Sequence, residues 1–357
     1  MSERRINLKN SANPCFTVSG LKPAIFSFGE LLLRLSPAPN KEWIHTHSTS
    51  MYIGGAELNV AGALARWNLP ARYGTALPDH YLSKEIIESL EDKNIDTSAI
   101  HLSGNRIGIY YLINGADLKS TGVIYDRAGS SFSELRPGMI DWNNVLDGCG
   151  WFHFSAISPA LNENAAAVCR EALEAASIKG LKISVDLNYR SKLWQYGKLP
   201  KAVMSELVNY CDLIMGNIWS AEILLGLDPT IPSSEGKSRQ ELIDAAGKSM
   251  MQLHQRFPKA AAVAYTFRLE KEYWAVLQHG KEQVVSKQYL KKNVKDKAGS
   301  GDCFMAGLIY GFYHENSLQE LIDYAAAAAV GKLQEEGDTT RQTIEMVKTK
   351  MNANAEA

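Results

Sequence analysis

The heptad Asp296-Lys297-Ala298-Gly299-Ser300-Gly301-Asp302 runs through Cys303 into the apolar segment Phe304–Tyr313. Glycines and small residues let a backbone turn tightly and come close to a ligand, and the apolar segment behind them predicts a helix. A helix start presents free N–H groups at the positive end of the macrodipole, so the stretch reads as an anion cradle. Asp302 stands at its mouth, where a carboxylate would repel bound phosphate. Accepting a proton from an attacking hydroxyl gives it a purpose there. An N-cap beside an ordinary turn accounts for it equally, and the heptad alone leaves both readings open. Neither G-x-x-x-x-G-K-[ST] nor G-x-G-x-x-G occurs.

Working outward, strand and helix patterns alternate. Ile25–Leu35 is rich in strand formers and stops at Ser36-Pro37. Gly54-Gly55 opens a helix whose Ala56, Val60, Ala63, Leu64 and Trp67 share a face, and Leu82, Ile86, Ile87 and Leu90 mark another. Ile107–Ile113 and Val123–Arg127 form a hairpin pattern. Trp151–Ser155, Lys182–Leu187, Leu213–Met215 and Ala261–Thr266 read as strands. Between them lie helices at Glu163–Ala176, Ala202–Asn209, Ala221–Leu225 and Gln240–Gln255. This order predicts an α/β fold: a mainly parallel sheet with helices on both faces, and ligands beyond the carboxyl ends of the strands. One domain over 24–350 is expected, with lid strands within about 36–53 and 105–135. A polar leader (1–23) precedes it and a frayed tail (351–357) follows. The Ala-rich helix Ala325–Val330 is expected in the core.

The 357 residues, 45% hydrophobic and 22% charged, carry a formal net charge of −1, which disfavours nucleic acid and anionic membrane as partners. No apolar run is long enough for a membrane helix and no secretion signal precedes the domain, so a cytoplasmic location is expected. Five widely spaced cysteines (15, 149, 169, 211 and 303) fit a reducing compartment better than a disulfide framework. The histidines lack metal-ligand spacing.

Two motifs in order carry a resemblance to the PfkB (ribokinase-like) carbohydrate kinases: Gly54-Gly55-Ala56-Glu57-Leu58-Asn59 upstream and Asp296–Asp302 about 240 residues later. The resemblance covers Ile25 to Val347. It implies a three-layer α/β/α core with a small β lid, ATP and Mg²⁺, and a homodimer through the lid. It makes Asp302 the base and the amides of Gly299, Ser300 and Gly301 the anion hole. Gly54, Gly55 and Asn59 would contact the acceptor, and Asn217, Thr266, Arg268, Asp296, Gly299 and Gly301 the nucleotide.

Within that family the chain is similar to the 2-keto-3-deoxygluconate kinases. The match rests on Gly29-Glu30, Ile107–Tyr111, Tyr125-Asp126-Arg127, Phe154–Leu161 and Asp186–Arg190 followed by Leu193-Trp194. The implied reaction is phosphorylation of the terminal 6-hydroxyl of 2-keto-3-deoxy-D-gluconate, giving the 6-phosphate. Gly29, Glu30, Tyr110, Tyr125, Arg127 and Arg190 would complete the acceptor site. Arginine forks at 127 and 190 suit a carboxylate that a neutral sugar lacks. A PfkB kinase of a neutral sugar such as fructose, and a non-catalytic sugar-acid sensor, are the alternatives.

The chain departs from the family in three places. Lys297 and Ser300 replace Thr and Ala in the heptad. Asn217-Ile218-Trp219-Ser220 lacks the Glu of Asn-x-x-Glu, which leaves Mg²⁺ to be held through water near Asn217. Thr266-Phe267-Arg268 replaces Lys-x-Gly, with Arg268 as the available cation.

Overall fold

Successive residues of a strand face opposite sides of its sheet, and here both sides are apolar. Trp151 packs into one core, while its neighbour Phe152 and then Phe154 pack into another; Leu213 and Ile214 divide in the same way. A sheet of such strands must be covered on both faces.

The computed structural model describes residues 22–37, 43–45, 47–113 and 122–353. Residues 1–21 of the expected leader (1–23), residues 38–42 and 46 of the expected lid region, the hairpin turn at 114–121 and the last four residues lie outside them. The chain begins with β1 (Ala24–Phe28), β2 (Leu32–Pro37), β3 (Thr49–Gly54), α1 (Ala56–Arg66), β4 (Ala71–Leu77) and α2 (Tyr81–Glu91). Two short strands, β5 (Ile95–Asp96) and β6 (Ile100–Leu102), precede the hairpin β7 (Gly108–Leu112) and β8 (Val123–Asp126). Then come α3 (Trp142–Val145), β9 (Cys149–Ser155), α4 (Glu163–Ile178), β10 (Lys182–Asp186), α5 (Pro200–Val208) and β11 (Leu213–Gly216). The remainder is α6 (Ile218–Leu225), α7 (Arg239–Arg256), β12 (Ala262–Arg268), β13 (Glu272–His279), β14 (Glu282–Val285), β15 (Tyr289–Leu290), α8 (Ser300–Tyr313), α9 (Leu318–Lys332) and α10 (Ile344–Asn352).

The large sheet runs β14-β13-β12-β11-β10-β9-β1-β4-β5. From β5 to β12 its pairs are parallel, and the β12–β13–β14 edge is antiparallel. Helices α4 to α7 cover one face; α1, α2 and α8 to α10 cover the other. The expected α/β architecture is therefore present. The Ala-rich segment lies wholly inside α9 and is buried, with the Ala325 backbone packed against Gly307 of α8.

Three points of the sequence reading need amendment. Ile25–Leu35 is two strands in different sheets, divided at Gly29-Glu30-Leu31, and β13 to β15 carried no strand expectation although β13 completes the core through Tyr273, Trp274 and Leu277. At the other end, Met351 and Asn352 belong to α10.

A second sheet, ordered β3-β2-β7-β8, stands apart from the first. Its inner face presents Leu32, Tyr110, Leu112 and Val123, with Tyr125 packed beside them. Buried charge ties it to the rest of the molecule. Arg34 of β2, 1% exposed, pairs with Asp296 at 2.8 Å and with Asp338 at 2.9 Å, and its guanidinium lies 4.2 Å from the Tyr52 ring centroid. The Tyr110 hydroxyl donates to the same Asp338 carboxylate at 2.5 Å. Removing one member of a buried ion pair strands the other's charge. Arg34→Met is expected to lower the unfolding free energy by about 3–5 kcal/mol, read from urea midpoints; a loss within the scatter of a surface substitution would refute this role.

Candidate active site

The parallel strands all end on one side. Beyond those ends lies a cleft of about 750 Å³, open mouth included. β1 delivers Glu30 to it, β10 delivers Asp186, Asn188 and Arg190, and β12 delivers Arg268. The second sheet roofs it with Leu32, Tyr110, Tyr125 and Arg127.

Two helix starts meet in this cleft. α1 begins after Gly55, whose φ of 143° and approach to the Glu30 carbonyl exclude a side chain. α8 begins after Gly299, which is left-handed at φ 75° and ψ −6° and backs onto the Asp338 carbonyl and the Lys332 side chain. The first-turn amides of α8, on Ser300, Gly301 and Asp302, have no carbonyl partner within the helix. Asp296 braces the turn from behind: its carboxylate accepts from the amides of Ala298 at 3.0 Å and Gly337 at 3.2 Å.

Asn59 of α1 donates through Nδ2 to Asp302 Oδ2 at 2.7 Å. Asp302 is 8% exposed. Burial raises its pKa to about 6, against the Asn59 bond and the nearby charges of Arg190 and Arg268, which favour the carboxylate. The result is a base with an affinity for protons close to neutral pH.

Further acids surround it. Glu57 Oε1 accepts from the Ser155 amide, the Ser155 hydroxyl and the Ser158 hydroxyl at 2.9, 2.7 and 3.1 Å. Burial still lifts its pKa to about 7. Burial likewise raises the pKa of Asp338, against the opposing pull of Arg34. A methyl group on Gly29 would fall on the Glu57 carboxylate, and one on Gly54 on that of Asp338. These two glycines make room for acids. Neither lines the cleft.

The family model described as pfkB family carbohydrate kinase matches residues 22–344. The chain belongs to this family. A 2-dehydro-3-deoxygalactonokinase of Haloferax volcanii is 28% identical over 321 residues, covering 88% of this chain and 92% of that protein. The crystal structure of 2-dehydro-3-deoxygluconokinase from Thermotoga maritima superposes with a TM-score of 0.84 at 32% identity, over 92% of this chain and 99% of that one. A pfkB family carbohydrate kinase from Listeria grayi follows at TM-score 0.78 and 27% identity, over 92% and 98%. The protein is a carbohydrate kinase, and the ribokinase-like fold expected from the two motifs is the fold it has.

Of the residues singled out in the sequence, Glu30, Gly55, Asn59, Tyr110, Tyr125, Arg127, Arg190, Arg268, Gly299, Gly301 and Asp302 line the pfkB cleft. Ser300 does not: its hydroxyl turns away to the Ala329 carbonyl at 3.0 Å. Asn217 Oδ1 caps α6 through the Ser220 amide at 2.9 Å, and Thr266 donates to the Gly216 carbonyl at 3.3 Å. Asp296 is taken by Arg34 and the turn amides. Arg127 uses Nε to bind Glu30, which also accepts from the Ser130 hydroxyl.

Sequence reading passed over Arg34, Lys332 and Asp338, and named Glu57 and Asp186 inside motifs without giving them a role. A charge inside the apolar run around Leu33 and Leu35 was the available sign for Arg34. Asp338 had no such sign, because it sits in a polar loop after α9. Burial of Lys332 followed from no pattern; its ammonium donates to the Gly337 carbonyl at 2.7 Å.

With Asp302 in the proposed role of base, its raised pKa is expected to set the acid side of catalysis. A base works deprotonated, so kcat/KM is expected to climb as pH rises through about 6 and to level off above it. Asp302→Asn is expected to lose about 10²–10⁴ in kcat and this limb with it. Near-normal turnover of the variant would remove Asp302 from the base role.

Proposed function

We propose that this kinase transfers the γ-phosphoryl of ATP to the terminal 6-hydroxyl of 2-keto-3-deoxy-D-gluconate, giving 2-keto-3-deoxy-6-phosphogluconate. The observation that carries this reading is the pairing of two arginine edges with Asp302 in one cleft. Arg127 has its Nε on Glu30, while its two terminal nitrogens make no hydrogen bond among the described residues. Arg190 donates only weakly, to the Tyr189 carbonyl at 3.4 Å, and forms no ion pair among the described residues. Two forks of this kind suit a carboxylate. The names of the Haloferax and Thermotoga relatives, both kinases of 2-dehydro-3-deoxy sugar acids, support the same class.

In this reading the acid end lies against Arg127 and Arg190, with Tyr110 and Tyr125 as walls. The far hydroxyl meets Asp302, whose Oδ2 is fixed by Asn59, leaving Oδ1 to take the proton. The first-turn amides of α8 hold the transferred group; such donors are worth about 10²–10³ in rate each. Mg²⁺ on the nucleotide supplies neutralisation of the phosphate oxygens. Among the described residues no group of three or more His, Cys, Asp or Glu gathers as a metal cage. That fits an ion keeping water and phosphate ligands, with cleft-lining Asp186 and the Asn217 end of β11 as its outer support. A second copy of the chain is proposed to cover the outer face of the small sheet, where Met51 and Ile124 are 54% and 63% exposed. A native mass of two chains is expected by light scattering.

ADP release measured with the gluconate-derived acid, its galactonate epimer and fructose tests the substrate. The gluconate-derived acid should lead, and equal or better turnover of fructose would sink the acid reading. Arg190→Ala is expected to raise KM for the acid by about one to two decades, since a charged hydrogen bond contributes roughly 1.5–3 kcal/mol, while slow fructose turnover stays nearly unchanged. An equal loss on both acceptors would assign Arg190 to phosphate instead.

A further inference from the structure

Asp302 leans on Asn59, and the Asn59 amide has two ends. Its Nδ2 donates to Asp302 Oδ2 at 2.7 Å. The amide oxygen therefore turns away from the carboxylate, and a buried amide oxygen calls for a donor of its own. The Thr339 hydroxyl supplies one, donating to Asn59 Oδ1 at 3.3 Å across 280 positions of the chain. Carboxylate, amide and hydroxyl form a series that runs from α8 through α1 to the loop after α9.

Two features aim that hydroxyl. The first is the loop, which is pinned on either side of Thr339. Before it, the Gly337 carbonyl accepts from Lys332 at 2.7 Å and Asp338 pairs with Arg34 at 2.9 Å. After it, the Thr340 hydroxyl donates to Glu335 Oε2 at 2.7 Å, and the Arg341 amide to Glu335 Oε1 at 3.0 Å. The second is the side chain's own methyl. A Cβ at Gly62, about one turn beyond Asn59 on α1, would stand 2.6 Å from it, so the methyl takes the space that this glycine leaves. A β-branched side chain has few χ1 choices. Seating the methyl leaves the hydroxyl directed at Asn59.

We infer that Thr339 is a positioning residue for the phosphoryl transfer: with its methyl seated against Gly62, its hydroxyl holds the Asn59 amide so that Nδ2 stays on Asp302. The inference rests on Asp302 as the base and adds what keeps one oxygen of that base occupied and the other available. Hydrogen bonds in series polarise one another, so the hydroxyl strengthens the amide as a donor. Without it the Asn59 oxygen loses that donor, the amide turns more readily, and Asp302 holds its proton more tightly. After burial, which raises the Asp302 pKa to about 6, the Asn59 bond is the largest influence and acts downward. Arg190 after β10 and Arg268 at the end of β12 also act downward, and Asp338 acts upward. Glu57, Asp186 and Lys297 line the same cleft. Loss of the Thr339 hydroxyl removes none of these groups.

The test uses the full-length chain with Thr339→Val, Thr339→Ser and Gly62→Ala. Valine keeps a methyl for the Gly62 slot and loses only the donor. NMR titration of carbon-13-labelled aspartate, with Asp302 assigned by its absence from Asp302→Asn, reads proton affinity without turnover. In Thr339→Val the Asp302 titration is expected to move up by about half to one pH unit, and the acid limb of kcat/KM with it. On that limb the loss is about three- to tenfold, while the rate on the plateau stays within about twofold. Thr339→Ser keeps the hydroxyl and should recover most of the loss. Gly62→Ala closes the slot without touching the hydroxyl and should move the limb the same way, although alanine favours a helix. In an Asn59→Ala background Thr339→Val should add nothing, because it acts through that amide.

An unmoved Asp302 titration in folded Thr339→Val, or a full additional effect of that change in the Asn59→Ala background, would overturn the assignment. Should the valine variant not fold, an unmoved titration in Gly62→Ala overturns it equally. Failure of the base role would look different. Asp302→Asn would keep near-normal turnover, while the NMR titration would still decide whether Thr339 governs the amide.

Discussion

One buried cation holds the two halves of the active site together. Arg34 comes from the small sheet, and the carboxylates it binds come from the heptad and from the loop behind α9. Asp296 carries that restraint into the glycine turn through the Ala298 amide and into the loop after α9 through the Gly337 amide. Asp338 carries it to Tyr110, which walls the cleft. Dry ion pairs are weak evidence of stability, since desolvation offsets most of their attraction. Their value here is geometric. A guanidinium fork between two acids tolerates few arrangements, so the roof of the cleft and the glycine turn share one register.

The same burial tunes the chemistry. Asp302, Glu57 and Asp338 are all acids that the surroundings hold above the ordinary carboxylate range. Near Asp302 stand Arg190 and Arg268, neither of which forms an ion pair among the described residues. Glu57 is held by two serines and a backbone amide and belongs to the wall. The three acids thus differ in their partners rather than in residue type.

The core of the fold was legible because its signals are local. Continuous apolar strands alternating with helices dictate a doubly covered parallel sheet, and β9 to β12 follow the pattern residue by residue. The heptad and the Gly54–Asn59 motif marked both helix starts of the site. What escaped reading depends on distance in the chain. Ile25–Leu35 looks like one strand because its composition does not change at Gly29-Glu30, yet the chain leaves one sheet there and enters another. The β13 run Tyr273–Leu277 carries the same continuous apolar signal as β9 to β12, and the sequence reading left it unassigned. Arg34 and Asp338 acquire meaning from partners hundreds of positions away, which a linear pattern does not encode. Asn217 and Asp296 stood inside recognised motifs, and their side chains serve the backbone around them.

Gly54 gives this long-range dependence a material form. It appears in the sequence as the first of a flexible pair, but its φ is not in the left-handed region, and the space beside it is filled by the Asp338 carboxylate. The missing methyl group is a seat. A larger residue at position 54 would need the volume that the Asp338 carboxylate now fills, so the two positions, far apart in the chain, share one space.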